Sequence, residues 1–221
     1  MDERVRRTVD TYERIADVYA DRHGGDRSSV ADIVERFLEA VETVDESDRG
    51  TGRATPRVLD VGCGPGWESA AFDDAGLDPV PFDLTASFLT QARERVPDAA
   101  PVRGDMRALP FADGSFDGLW ACASLLHVPE PDVPAAVAEF ERVLADDGVV
   151  CCSLKTGPGD IGTAAESPYD DDRRHFERYA PERARDLFDD AGFAVLDAAT
   201  GESEHDAWVV VTARVGASDQ P

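Results

Sequence analysis

Residues 57–69 read Arg-Val-Leu-Asp-Val-Gly-Cys-Gly-Pro-Gly-Trp-Glu-Ser, a short apolar run that stops in three alternate glycines. Val58, Leu59 and Val61 are the apolar, mostly β-branched filling of a strand covered on both faces. Gly62, Gly64 and Gly66 then allow a sharp turn into a helix and a close approach of backbone to ligand, because no Cβ stands in the way. Open α/β sheets bind ligands beyond the carboxyl ends of their strands, so a ligand is expected at this corner. The spacing bears on which ligand. A dinucleotide fingerprint ends on a small residue that lets helix and strand pack around a pyrophosphate, and here that position is Trp67. An NAD(P)-type oxidoreductase therefore stands as an alternative that Trp67 disfavours.

Outward from this stretch, 221 residues with 42% hydrophobic content can form one full-sized domain. The 46 acidic residues against 22 Lys and Arg give a net charge of −24, and Lys155 is the only lysine. This pattern resembles proteins of salt-loving archaea, in which concentrated salt screens self-repulsion. The same charge argues against nucleic acid as a partner, since that needs a basic face. Cys63, Cys122, Cys151 and Cys152 show no C-x-x-C spacing, so neither a metal site nor a disulfide framework is expected, and they read as small buried residues. No apolar stretch nears the ~18 residues of a membrane span, and no signal-peptide core follows the N-terminus. A soluble, cytoplasmic protein is expected.

Val5, Val9, Tyr12, Ile15, Ala16 and Tyr19 recur at helical steps, predicting a helix over 5–21 that ends at Gly24-Gly25. A second helix carries Val30, Ile33, Val34, Phe37, Leu38 and Val41, with Ser28 or Ser29 as its cap. Together they make a helical cap over 1–44, divided by the polar loop 45–56 from a core over 57–215. The core alternates strands and helices, which implies parallel strands joined by helical crossovers. Its strands are placed at 58–61, 79–82, 101–103, 116–122 and 149–154, with helices over 84–96 and 133–144. Strands 193–196 and 207–215 are too close for a crossover, so the last should return antiparallel. Asp83 ends the second strand, 23 residues beyond Asp60, near the ~20-residue offset at which a carboxylate receives a ribose diol. Residues 155–180, rich in glycine, proline and charge, are too long for an ordinary connection and form a candidate lid. The residues from Gly216 read as a tail.

In order, the glycine loop, Asp83, Gly104-Asp105-Met106 and the segment Leu109 to Val128 resemble class I S-adenosylmethionine-dependent methyltransferases of the type 11 kind. The resemblance implies a Rossmann-like, doubly wound seven-stranded sheet, mostly parallel with an antiparallel last strand. It implies S-adenosyl-L-methionine as cofactor and methyl transfer to a small-molecule acceptor, leaving S-adenosylhomocysteine. Asp60, Gly62, Cys63, Gly64 and Gly66 would wrap the methionine and ribose parts, with Asp83 and Leu84 at the ribose. Asp105 would face the adenine amino group, Met106 its ring, and Ala121 the fourth-strand tip. Tyr12 and Tyr19 would lie over the cofactor, or pack on the core with their hydroxyls at its rim. Ala121-Cys122-Ala123-Ser124 replaces the Asn/Asp-Pro-Pro-aromatic run of amino-directed members acting on nucleic acid or glutamine, which argues against those substrates. His127 is a candidate general base or a structural histidine. Lys155 and Arg174 are candidates for an anionic group of the acceptor, with Phe176 and Tyr179 closing over it. Lys155 could equally pair with a neighbouring acid. A non-catalytic adenosyl-ligand-binding protein is the remaining alternative.

Overall fold

A computed structural model describes residues 1–25, 27–43, 53–157, 162–163, 167–202 and 207–216. Two helices come first, α1 (Glu3–His23) and α2 (Ser28–Glu42). The alternating part runs β1 (Arg57–Val61), α3 (Trp67–Asp74), β2 (Asp78–Asp83), α4 (Ala86–Arg95), β3 (Val102–Arg103), β4 (Phe116–Cys122), α5 (Val133–Val143) and β5 (Leu144–Lys155). There follow β6 (Gly162–Thr163), β7 (His175–Phe176), α6 (Pro181–Asp189), β8 (Phe193–Glu202) and β9 (Ala207–Val215). Seven strands form one sheet in the order β3-β2-β1-β4-β5-β9-β8, in which β9 alone runs against the rest, and β6 and β7 make a separate two-stranded ribbon. The strand order reverses between β1 and β4, which opens a crevice at their carboxyl ends.

Period-two alternation divides the core. Leu59, Val61, Leu119, Ala121, Val150 and Cys152 face a cluster with α5 and α6, while Val58, Trp120, Val149 and Cys151 face Phe37 and Val41 of α2 and Phe72 of α3. Phe37 and Val41 are 1% and 0% exposed, so each adds roughly 1.5–3 kcal/mol that holds α2 on the sheet. Pro79 and Pro81 fit within β2 because β3 pairs only with Phe82 and Asp83, so their missing N–H groups interrupt no ladder on that side.

Several boundaries differ from expectation. β5 starts at Leu144, which pairs with Phe116 before the register shifts to Gly118 with Val149; the intervening Asp146-Asp147-Gly148 forms the irregularity, with Asp147 at φ 60°. β8 extends to Glu202 because β9 supplies partners to its end. Arg27, not a serine, occupies the cap position of α2, and no side chain caps it. Residues 45–52, 158–161, 164–166 and 217–221 lie outside the described part, so those portions of the expected loop, lid and tail do too. All four cysteines are free, with Cys63, Cys151 and Cys152 buried and Cys122 half-buried. Among the described residues no helix is long and apolar enough to cross a membrane, and no His, Cys, Asp and Glu group could hold a metal.

With a charge of −24, like-charge repulsion outweighs the favourable pairs that salt also weakens. Raising potassium chloride from 0.1 to 1 M shortens the Debye length from about 10 Å to about 3 Å. The melting temperature is expected to climb over that range; a flat or falling curve in a thermal-unfolding series would contradict the argument.

Candidate active site

The loop after β1 takes positive φ at all three glycines, 73° at Gly62, 51° at Gly64 and 83° at Gly66. The Gly62 and Cys63 amides donate to the Phe82 carbonyl at 2.7 and 3.1 Å, stitching the loop to the end of β2. Asp83 completes the joint: one carboxylate oxygen accepts the Gly64 amide at 3.0 Å and the other the Thr85 amide at 2.7 Å. Burial pushes the Asp83 carboxyl up, and the amides from Thr85 and Gly64 work against that. A Cβ on Gly64 would meet nothing within 4 Å, so the backbone there borders open space.

Two loop residues expected at the ligand do other work. A Cβ on Gly66 would lie 2.9 Å from both Cα and Cβ of Ala92, so this glycine serves close packing of the loop on α4. Asp60 is 1% exposed behind the loop, where it accepts from Ser69 Oγ at 2.5 Å, and burial pushes its carboxyl up to about 7.

The crevice at these strand ends is a cavity of about 540 Å³, within the roughly 300–1,000 Å³ of small-molecule sites. Gly62, Cys63, Gly64, Asp83, Leu84, Asp105 and Met106 line it, as do Tyr12 and Tyr19 from α1. The Glu13 carboxylate fixes α1 in place by accepting from the Ala86 and Ser87 amides at 2.7 and 3.0 Å and from Ser87 Oγ at 2.6 Å. It thereby caps the start of α4 from another helix, where a negative charge is favoured. Asp105 accepts from the Arg107 amide and Nε on one oxygen and from Arg107 Nη2 on the other, and the side-chain bond from Arg107 chiefly holds its carboxyl low.

Tyr12 joins a hydrogen-bonded chain that crosses the cavity wall. His127 Nδ1 stands 2.6 Å from the His175 carbonyl, which can only accept, so that nitrogen carries the proton. Its Nε2 then accepts from the Tyr12 hydroxyl at 3.0 Å, and the phenol oxygen accepts from Arg174 Nη1 at 3.2 Å. Burial pushes the His127 pKa down to about 3. Near neutral pH the ring is therefore uncharged with both nitrogens engaged. That departs from the general-base expectation and makes His127 the group that aims Tyr12.

Comparison with known proteins bears on this geometry. Residues 59–152 match the family described as a methyltransferase domain. The similarity is to a methyltransferase domain, over 94 of the 221 residues of the chain. The matched part spans the glycine loop, Asp83, Asp105 and Met106 of the cavity. A demethylmenaquinone methyltransferase of Renibacterium salmoninarum is 44% identical over 92 residues, covering 42% of this chain and 38% of that protein. A malonyl-[acyl-carrier protein] O-methyltransferase of Erwinia billingiae is 38% identical over 103 residues, 47% of this chain and 40% of its own. The chain thus spans about two fifths of the length of these curated relatives. The fold is shared with a Burkholderia thailandensis 1,6-didemethyltoxoflavin-N1-methyltransferase solved with 1,6-didemethyltoxoflavin and S-adenosylhomocysteine. The TM-score is 0.61 at 18% identity, over 93% of this chain and 88% of that one.

Strand parity corrects one residue. Ala121 is fully buried on the face toward α5, so Cys122, Ala123 and Ser124 line the cavity instead. The residues expected over an acceptor are placed differently as well. Arg174 is held by Asp172, with Nη2 to Oδ2 at 2.6 Å and Nε to Oδ1 at 2.9 Å, and reaches the cavity wall only through Tyr12. Phe176 and Tyr179 are 8% and 3% exposed within the main core, because the Tyr179 amide donates to the Lys155 carbonyl and lays this segment against β5. Lys155 Nζ lies 4.9 Å over the Phe176 ring and 5.5 Å over Trp208, and it does not line the cavity. Unanticipated lining residues include Arg27, Trp67, Phe88, Arg107, Ser153 and Trp208. Trp67 and Arg107 adjoin motifs that could have revealed them, and Ser153 opens the stretch Ser153-Leu-Lys that leads to Lys155.

Proposed function

We propose that this protein transfers a methyl group from S-adenosylmethionine to a small-molecule acceptor, leaving S-adenosylhomocysteine. The observation that carries the reading is the hydrogen bond between Gly64 and Asp83 at the edge of the cavity, beside space that a Cβ at Gly64 would enter. A carboxylate oxygen has two lone pairs, and each Asp83 oxygen gives one to an amide, leaving capacity for both hydroxyls of a ribose. Asp105 Oδ2 likewise keeps a lone pair for an amino group, and the polarizable Met106 side chain suits the face of an adenine. When bound, the cofactor supplies a methyl carbon already activated on a sulfonium. The chain's task is then alignment and exclusion of water: α1, latched to α4 by Glu13, roofs the site with Tyr12 and Tyr19, and neutral His127 fixes the Tyr12 hydroxyl.

The acceptors named for the two curated relatives differ from each other, so they single out none for this chain. A metabolite-extract screen with methyl-labelled cofactor tests the reading, with labelled product and S-adenosylhomocysteine as the expected outcome. Binding without transfer to any fraction would favour a non-catalytic adenosyl-ligand protein, and a melting temperature raised by NAD would favour an oxidoreductase. For Asp83→Ala, calorimetric titration with S-adenosylhomocysteine should show affinity weakened by about 1–3 kcal/mol, since the ribose loses a charged acceptor. Unchanged affinity would remove the ribose assignment.

A further inference from the structure

The turn after β3 carries an ion-paired unit on the cavity wall. Gly104 packs against Phe82, where a Cβ would lie 2.7 Å from two ring atoms, so the chain leaves the sheet there without a side chain. Asp105 then closes a turn on itself: its carbonyl accepts the Ala108 amide at 3.0 Å, and its Oδ1 accepts the Arg107 amide at 3.0 Å. The Arg107 guanidinium grips the same carboxylate with two prongs, Nε to Oδ1 at 2.9 Å and Nη2 to Oδ2 at 2.7 Å. Its third nitrogen, Nη1, donates to Asp132 Oδ2 at 2.5 Å, immediately before α5, so the fork is braced from its other side. The side chains of Asp105 and Arg107 are 29% and 18% exposed, and both line the cavity.

A carboxylate presents about four lone-pair positions. Arg107 takes three of them, two on Oδ1 and one on Oδ2, so among the described residues Asp105 keeps a single free position, on Oδ2. The acid thus offers one acceptor in one direction. The side-chain bond from Arg107 also chiefly holds the carboxyl low, so near neutral pH it accepts and does not donate. The edge of an adenine presents an amino donor at position 6 beside a bare N1. A 6-oxo purine reverses both, with an acceptor at position 6 and a proton on N1. A carboxylate free to turn satisfies either edge, by moving from the amino group to the N1 proton. A clamped one does not turn, and a 6-oxo group in front of it sets acceptor against acceptor.

We propose that Arg107 is a positioning residue that makes the cavity select a 6-amino purine over a 6-oxo purine, by fixing Asp105 as one aimed acceptor. That a purine sits there rests on the methyl-transfer reading; the clamp does not. The probes are S-adenosylhomocysteine and S-inosylhomocysteine, which differ only in that purine edge. They are titrated calorimetrically into the full chain, Arg107→Met and Arg107→Lys, each with a melting curve. The unaltered protein should bind the adenosyl ligand at least ~10-fold more tightly than the inosyl one. Both variants should bring that ratio to ~3-fold or less, since a lysine keeps the charge but cannot hold two oxygens in a plane. An NMR titration should show the Asp105 carboxyl rising further in Arg107→Met than in Arg107→Lys, which separates aim from charge. A merely structural role for Arg107 would weaken both ligands alike, so an unchanged ratio in the variants overturns the proposal. So does a wild-type ratio near one, or a lysine variant that keeps the full ratio, which would assign selection to charge alone. If the unaltered chain binds neither ligand, the methyl-transfer reading falls and takes the proposal with it. If it binds S-adenosylhomocysteine and the variants keep the ratio, the proposal alone falls.

Discussion

Gly64→Val is expected to abolish cofactor binding while the protein still folds. Gly64 sits at φ 51°, where a β-branched residue is strained, at a cost of roughly 1–3 kcal/mol. No protein atom lies within 4 Å of the added Cβ, so that strain is the main penalty to the fold. The new side chain instead occupies the cavity beside Asp83, in the volume assigned to the ligand. Affinity for S-adenosylhomocysteine should fall at least ~100-fold, about 2.8 kcal/mol, in a calorimetric titration run beside a melting curve. Normal affinity in a folded variant would reduce the loop to a turn. Gly66 could not serve for this test, because a side chain there collides with Ala92 and would report packing on α4.

The same contrast shows what was legible in the sequence. Local chemistry recorded the strand, the glycines and Asp83, since a buried run followed by alternate glycines leaves the backbone few options, and each of Gly62, Gly64 and Asp83 reached the cavity. Residues whose partners are distant in the chain were less legible. Nothing near Arg27 in sequence marks the position of Trp67, over whose ring it lies. Ala121 was displaced by parity alone: the strand tip was located, and the register that points Cys122 inward depends on which face of β4 meets α2. The segment around Arg174 is expected as a lid from its polarity and glycine content, and the local sequence does not reveal how its described residues are held. Its order comes from contacts no local window contains, among them the His175 amide donating to Thr8 Oγ1 at 2.8 Å and the Glu177 amide donating to the Leu126 carbonyl at 2.8 Å.

That reassignment has a large measurable consequence. Arg174 and Asp172 have side chains only 9% and 2% exposed, and the guanidinium also lies 5.1, 5.0 and 5.1 Å over the rings of Tyr12, Tyr169 and Phe176. Arg174→Met strands a carboxylate in an aromatic setting and should destabilise the protein by about 3–5 kcal/mol in chemical denaturation. Acid should narrow the gap between the two proteins. Burial works to raise the Asp172 carboxyl, but hydrogen bonds from Arg174 and Ser167 prevail and hold it at about 2, below its unfolded value near 3.9. The stability from this pair is therefore present above about pH 4 and lost as pH falls through about 2. In the variant the unpaired carboxyl takes up a proton more readily, so acidification relieves its penalty. The difference in unfolding free energy should thus shrink steadily from pH 6 toward pH 3, and Asp172→Leu combined with Arg174→Met should recover much of it at pH 7. A loss below about 1 kcal/mol, the range of exposed pairs, would show that the pair does not hold the segment and would return Arg174 to the acceptor.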